Sequence, residues 1–322
     1  MKKKLMLILN AIISIAIVAV ILHVVGLEQV IEDIKGINLF FLLVSIFFLF
    51  LMDLALTYRI VILLKEVGIK LRYIDALKSH FVGMLAADFT PARTGYFATA
   101  AVLKYNYDVP SEKAMLSVFG PQIFDFAVKV VAGCIAIFYI ATYFLKIENW
   151  WVLSLGAVVM LMLIAVMLLL LFSKRFLRLL SFLEKIPIVS KLYAMMWRMQ
   201  AHSHVITKKT ADILAIIAVA WTCKALSWYA AAKALGITVD AGFPEIVFYY
   251  FLQPLVTMLE FVPSATIAGL GLSEGASVLV FSLFGIPAAQ AMAFALVVRF
   301  KTTLLHSISV PEALKVMNKP LL

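Results

Sequence analysis

Asp88-Phe89-Thr90-Pro91-Ala92-Arg93-Thr94-Gly95-Tyr96-Phe97 interrupts an otherwise apolar stretch, 76–103. How this stretch meets a membrane decides the fold. A spanning helix needs about 20 apolar residues, so the stretch is too short for two crossings. The proline, glycine and two ionisable residues at its centre argue against one ordinary crossing. Charge decides between the remaining readings. Loop 173–209 carries Lys174, Arg175, Arg178, Lys185, Lys191, Arg198, Lys208 and Lys209 against one acid, Glu184. Such loops stay cytoplasmic. With Lys2 to Lys4 also inside and spans at 5–25, 38–58, 114–145 and 150–172, the loop is inside only if 76–103 enters and leaves by the same face. It therefore reads as a re-entrant hairpin dipping in from the cytoplasm.

The same parity argument applies further on. Segment 236–245 has no Lys or Arg and belongs outside, whereas the tail with Arg299, Lys301, Lys315 and Lys319 belongs inside. Stretch 245–275, broken by Glu260, Pro263, Gly269, Gly271, Glu274 and Gly275, then dips in from outside, and 276–298 crosses after it. Of the 28 Lys and Arg, only Lys35 and Lys146 fall outside on this reading. The expected fold class is all-α: a polytopic membrane helical bundle of about six full spans plus two re-entrant helical hairpins.

Composition agrees. Of the 322 residues, 64% are hydrophobic and 14% charged, against about half and a quarter in soluble domains. The net charge of +10 lies in short runs between apolar segments, which is membrane topology and not nucleic-acid binding. Residues 5–22 read as a retained first span, because no small-x-small cleavage site follows them. Segment 186–210 reads either as an amphipathic helix on the inner surface or as a solvated loop. Cys134 and Cys223 lie in separate apolar segments and form no disulfide framework or zinc site. His202 and His204 lack a third ligand. No phosphate-binding loop, nucleophile elbow or zinc-protease motif is present. The reading calls for no cofactor and no metal.

The two broken stretches resemble each other. Asp88-Phe89-Thr90-Pro91-Ala92-Arg93-Thr94 aligns with Glu260-Phe261-Val262-Pro263-Ser264-Ala265-Thr266, sharing an acid, Phe, Pro and Thr. Val109-Pro110, then Ala114-Met115, is echoed by Ile286-Pro287, then Ala291-Met292. Copies that start from opposite faces are an inverted repeat, an arrangement found in many transporters. The chain then reads as one transmembrane domain, 1–322, with halves at about 38–145 and 211–310 joined by the basic loop.

Ionisable residues at membrane depth need a partner or a task. Arg93 suits bidentate phosphate binding, or it pairs with Asp88 to hold the hairpin turn. Thr94 and Gly95 sit at that turn. Asp125 and Lys129, at i and i+4, form either a self-neutralising pair or a cavity wall, with a kink expected near Pro121 and Gln122. Glu260, Glu274 and Arg299 form a second set. Gly269 and Gly271 allow close approach of a ligand or a helix. Arg299 contacts substrate or snorkels to the surface. Asp53 and Lys224 are further cavity candidates.

Thr90-Pro91-Ala92-Arg93-Thr94-Gly95-Tyr96-Phe97 resembles a Pro-Gly-Arg-x-Gly-Glu segment. Pro263-Ser264-Ala265-Thr266-Ile267-Ala268-Gly269-Leu270-Gly271-Leu272-Ser273-Glu274-Gly275, followed by Phe284-Gly285-Ile286-Pro287, resembles Pro-x-x-x-Gly-Gly-Leu-Gly-x-x-Glu with a later Gly-Val-Pro. Both segments, with Asp125 and Arg299 at matching places, are similar to the transmembrane region of the lysylphosphatidylglycerol synthase/flippase family over nearly the whole chain. Departures are Ala92 and Ala268 in place of glycines, and Phe97 in place of an acid. The resemblance implies the translocating half without the soluble aminoacyl-transferring domain, hence no enzyme.

The expected function is a flippase-like translocase of the cell membrane with both termini cytoplasmic. It would move a phospholipid or a polyprenyl-phosphate-linked lipid through a polar cavity between the hairpins. The alternative is a non-transporting module or partner of a lipid-linked glycosyltransferase. A third reading is an intramembrane enzyme acting on a lipid phosphate. Protein partners in view are a second copy of the chain, a glycosyltransferase or a synthase.

Overall fold

The computed structural model describes residues 2–143, 146, 150–185, 187–260 and 266–316. The side chains of some of these, including 258–260, lie outside the description. Among the described residues every regular element is helical.

α1 (Lys2–Val25) is the first apolar helix, and α2 (Leu27–Lys35) turns from it by 88° at Gly26. α3 (Leu39–Glu66) begins where the Asn38 side chain accepts hydrogen bonds from the backbone N–H groups of Phe40 and Phe41, which satisfies two orphan donors of its first turn. The span expected at 38–58 continues to Glu66, because Ile60, Leu63 and Leu64 carry the apolar face onward and are buried. This places Arg59 inside the bundle and not in a loop.

The first hairpin is α4 (Tyr73–Asp88), a tight turn over Pro91–Tyr96, and α5 (Phe97–Tyr107) packed back on α4. At 16 and 11 residues, these helices reach about 24 and 16 Å, each short of a hydrocarbon core of about 30 Å. α6 (Ser111–Phe119) and α7 (Gln122–Tyr143) form the long helix expected at 114–145, broken at Gly120-Pro121. α8 (Trp150–Phe172) follows it.

The basic segment 173–209 is structured by α9 (Lys174–Leu179), α10 (Pro187–Ala201) and α11 (His204–Lys208). Helices α10 and α11 thus lie within the 186–210 segment. α10 packs under α6 and α8, with the Gln200 amide donating to the Leu170 carbonyl at 2.9 Å and the Tyr193 hydroxyl to Leu177 at 3.1 Å.

α12 (Thr210–Ala234) runs antiparallel to α3. The N–H of Asn38 donates to the carbonyl of Ala234 at 2.8 Å, and Lys208 pairs with Glu66 at the other end. Between them Ser45 and Ser227 exchange hydrogen bonds, each hydroxyl donating to the other's carbonyl at 2.5 and 2.7 Å. That reciprocity is what two equivalent helices make where a twofold axis passes between them.

The second hairpin is α13 (Glu245–Glu260) and α14 (Leu272–Leu283), again two helices too short to span. α15 (Ala288–His306) and α16 (Val310–Val316) end the described chain. The span expected at 276–298 is therefore corrected: 276–283 belongs to the hairpin, and the crossing helix starts at 288. Gly285, at φ +76°, and Pro287 make the turn. Apolar composition hid it, because the chain stays hydrophobic through Phe284-Gly285-Ile286-Pro287. The same turn precedes α6, with left-handed Asp108 and then Pro110. Pro110 and Pro287 have φ/ψ of −54°/135° and −55°/136°. The repeated Val-Pro and Ile-Pro signals thus mark one local structure used twice.

Among the described residues four helical stretches are long and apolar enough to cross a membrane, Leu39–Glu66, Ser111–Tyr143, Thr210–Ala234 and Ala288–Val316, with the bent pair α1–α2 as a fifth. The hairpins follow opposite ends of the antiparallel pair α3–α12, so they enter from opposite sides. Their tips meet: the N–H of Ala268 donates to the carbonyl of Thr90 at 3.1 Å. Irregular backbone at this depth is tolerated because protein encloses it.

Candidate functional site

The tips are strained in the same manner. Arg93 and Ala268 adopt left-handed conformations, φ 52° and 47°, each costing about 1–2 kcal/mol for a residue with a Cβ. Gly95 lies so close to α4 that an added Cβ would sit 2.2 Å from the Ala86 backbone. Its N–H donates to the Thr90 hydroxyl at 2.6 Å, and Thr90 in turn donates to the Ala86 carbonyl at 2.9 Å. The first turn is thus locked onto the helix that precedes it. Gly271, at φ +90°, lies against Ile17 of α1.

Asp88, the last residue of α4, accepts from Arg93 at 2.9 Å through one oxygen and contacts His306 Nδ1 at 3.2 Å through the other. His306 Nε2 contacts Asp53 at 3.2 Å, and the second oxygen of Asp53 contacts His80 Nε2 at 3.1 Å. Side chains from α3, α4, the first turn and α15 thereby form one chain: His80, Asp53, His306, Asp88, Arg93. The first three are wholly buried.

Glu274, in the first turn of α14, is also buried. One oxygen accepts from the Gly271 N–H at 2.6 Å and the other from Arg299. Arg299 also donates to the Ser273 hydroxyl at 2.7 Å. Lys301, one turn of α15 away from the chain, is buried against the reciprocal serines and donates to both hydroxyls, that of Ser227 at 2.7 Å. Lys301 has no ion pair among the described residues.

Two cavities adjoin these groups. The smaller, about 60 Å³, is bordered by Asp88, Arg93, Lys224, Glu274 and Arg299. The larger, about 370 Å³, has walls of Phe97, Phe119, Phe126, Met167 and Trp221. Arg93, Thr94, Asp125, Lys129, Lys224, Gln253 and Thr257 also border it. Arg93 and Lys224 border both cavities. The larger volume lies in the usual range of small-molecule sites and shares their pattern of apolar walls with a few polar groups.

Of the residues singled out from the sequence, Asp88, Arg93, Thr94, Asp125, Lys129, Lys224, Glu274 and Arg299 border a cavity. Asp125 and Lys129 are both an ion pair, at 2.7 Å, and a cavity wall. Gly95, Gly269 and Gly271 shape the tips instead. Asp53 is interior to the polar chain and touches neither cavity. The Glu260 side chain and residues 261–265, the second copy of the acid-Phe-x-Pro motif, lie outside the described residues. Lys301, assigned to the cytoplasmic tail by charge, is buried in the bundle, and Arg299, read either as a substrate contact or as snorkelling to the surface, borders the small cavity, because α15 starts twelve residues later than the apolar run suggested.

Sequence reading passed over His80, His306, Arg59 and Lys301. Arg59 is buried, and its Nε and one terminal nitrogen have no hydrogen-bond partner among the described residues. The signal was present, since an ionisable residue in an apolar helix is itself a site candidate. Topology arithmetic assigned the two cations to loops, and neutral histidines do not enter a charge sum.

The family model for the lysylphosphatidylglycerol synthase TM region matches residues 7–309. The chain belongs to that family. This is a family of membrane regions linked to lipid modification or transport and often paired with a separate synthase domain. The match spans both hairpins and every residue of the two polar clusters. No curated protein matches the chain.

Proposed function

We propose that this family member translocates a phosphate-bearing lipid between leaflets, with the head group passing through the larger cavity and the acyl chains remaining in the bilayer. The observation that carries this reading is the character of that cavity: apolar and aromatic walls beside Arg93, Lys129 and Lys224, at the meeting point of two broken hairpins. Cations at membrane depth are costly, and they suit a phosphodiester that brings an acyl tail with it. Arg93 would contact the phosphate, since its guanidinium borders both cavities and its planar fork matches phosphate oxygens. Asp125, already paired with Lys129, would receive an amine-bearing head group. Glu274 and Arg299 would hold the second tip in register with the first.

The halves α3–α7 and α12–α15 would form an inverted pair, a reading supported by the reciprocal hydrogen bonds of Ser45 and Ser227. Two conformations of nearly equal energy, related by exchange of the hairpins' roles, are what alternating access requires. The basic segment 173–209 would face the cytoplasm, with both termini on that side.

The test is reconstitution in vesicles of phosphatidylglycerol and phosphatidylethanolamine carrying a trace of fluorescent analogue of either, with leaflet exchange followed by dithionite quenching. Protein-dependent exchange that falls in Arg93→Ala supports the reading. Absence of exchange for both head groups overturns it.

A further inference from the structure

The chain from His80 to Arg93 contains a donor problem that the lipid site alone does not explain. Both nitrogens of His306 face carboxylate oxygens, of Asp53 at 3.2 Å and of Asp88 at 3.2 Å. Carboxylate oxygens only accept, so two good hydrogen bonds need a proton on each ring nitrogen, or one proton on a carboxyl. The trio Asp53, His306, Asp88 therefore holds one proton more than two carboxylates and a neutral imidazole. Two carboxylates and that extra proton leave the trio with one net negative charge, beside which Arg93 donates to Asp88 and His80 to Asp53. A charge this deep in the bundle requires a cation beside it.

Arg93 is the member of this chain that borders both cavities. If its guanidinium turns onto a lipid phosphate, Asp88 loses that hydrogen-bonded cation and the trio is left with its one net negative charge. One proton from water, added to the vacated Asp88 oxygen, restores neutrality. When lipid leaves, Arg93 returns and Asp88 gives the proton back. No bond other than that O–H forms or breaks.

Other ionisable groups frame the exchange. Lys224, Glu274 and Arg299 border the small cavity with Asp88. The ring of Tyr96 lies edge-on to His80, the Arg59 charge reaches His80 through space, and the Asp53 charge reaches Tyr73. Glu274 and Arg299 neutralise each other, so neither replaces the cation that Asp88 loses. At the far end His80 Nδ1 has no hydrogen-bond partner among the described residues. The chain thus runs from His80 to Asp88, about 12 Å along α4 at 1.5 Å per residue, as an ordered path on which a proton can move. Chains of Asp and His within a bundle are the form proton relays take in membrane transporters.

We propose that this protein couples phosphate-lipid binding to the uptake of one proton by the Asp53–His306–Asp88 cluster, which makes it a proton-linked translocase. The proposal rests on Arg93 as the phosphate contact, and the experiment separates the two claims. Full-length protein in detergent is titrated calorimetrically with dihexanoyl-phosphatidylglycerol and dihexanoyl-phosphatidylethanolamine, in two buffers of different ionisation enthalpy. These phosphodiesters take up no proton themselves near neutrality. The expected result is a buffer-dependent heat equal to about one proton per lipid, and an affinity that falls up to about tenfold per pH unit. Asp88→Asn removes the proton acceptor and frees Arg93. It should bind more tightly, with the pH slope lost, a change that a merely structural Asp88 would not produce. Wild-type binding with no buffer dependence overturns the coupling and leaves the lipid site standing. No binding of either lipid overturns both. The wild-type measurement decides the matter even if the variant fails to fold.

Discussion

Each hairpin tip holds an acid paired with an arginine, Arg93 from the first turn itself and Arg299 from α15, but the two acids are held differently. Asp88 ends α4, at the negative end of the helix dipole, and depends on two side chains from outside that helix, Arg93 and His306. Glu274 lies in the first turn of α14, where the dipole favours an acid, and it accepts from the backbone of its own cap at Gly271. One carboxylate is stabilised by its helix and the other by its neighbours. The difference teaches which arginine is free to change partner. Arg299 donates to the carboxylate that caps α14, whereas on the proposed reading Arg93 is the arginine that would exchange Asp88 for a phosphate.

Arg299→Ala tests this comparison most severely. It strips a buried carboxylate of its cation and should cost about 3–5 kcal/mol of stability, read as a fall in the thermal midpoint in detergent. Arg93→Ala should cost well under half of that, because His306 still holds Asp88. Equal losses would erase the distinction. In the transport assay the order reverses. Arg93→Ala should slow lipid exchange about 10- to 100-fold, the loss of a charge-assisted contact of about 1.5–3 kcal/mol, while Arg93→Lys recovers part of the rate.

The tip glycines sharpen the contrast. Gly95→Ala meets the α4 backbone at 2.2 Å and should destabilise by about 1–3 kcal/mol. Gly275→Ala, with only an Ile21 methyl at 3.6 Å, should be neutral or stabilise by up to about 1 kcal/mol as a helix-interior replacement. A loss at Gly275 as large as that at Gly95 would mean the second tip is packed as tightly as the first. A small effect of the opposite substitution is expected at Ala268, where the family resemblance anticipates glycine. Its φ of 47° supplies the physical reason, and Ala268→Gly should raise stability by about 1 kcal/mol.

Much of the architecture was legible in one dimension. The basic loop 173–209 and the broken stretch around Pro91 were enough to require a hairpin, since charge sidedness and helix length are properties of composition along the chain. The Val109-Pro110 and Ile286-Pro287 echo located two equivalent turns, although the second went unused when 276–298 was read as one span. Eight of the residues singled out border the cavities, because an ionisable residue in an apolar segment is conspicuous wherever it folds. His306 was not conspicuous: nothing near it in sequence is acidic, and its partners Asp53 and Asp88 lie 253 and 218 residues away.

The sequence by itself determined that this chain is an all-helical membrane protein with two interrupted segments, because hydrophobicity, proline and charge act locally and need no partner to be read. Only the tertiary structure decided which ionisable groups neutralise one another. Burial and pairing arise when α3, α4 and α15 pack, and the low-dielectric interior they create makes the contacts of Asp88 with His306 and Arg93 matter.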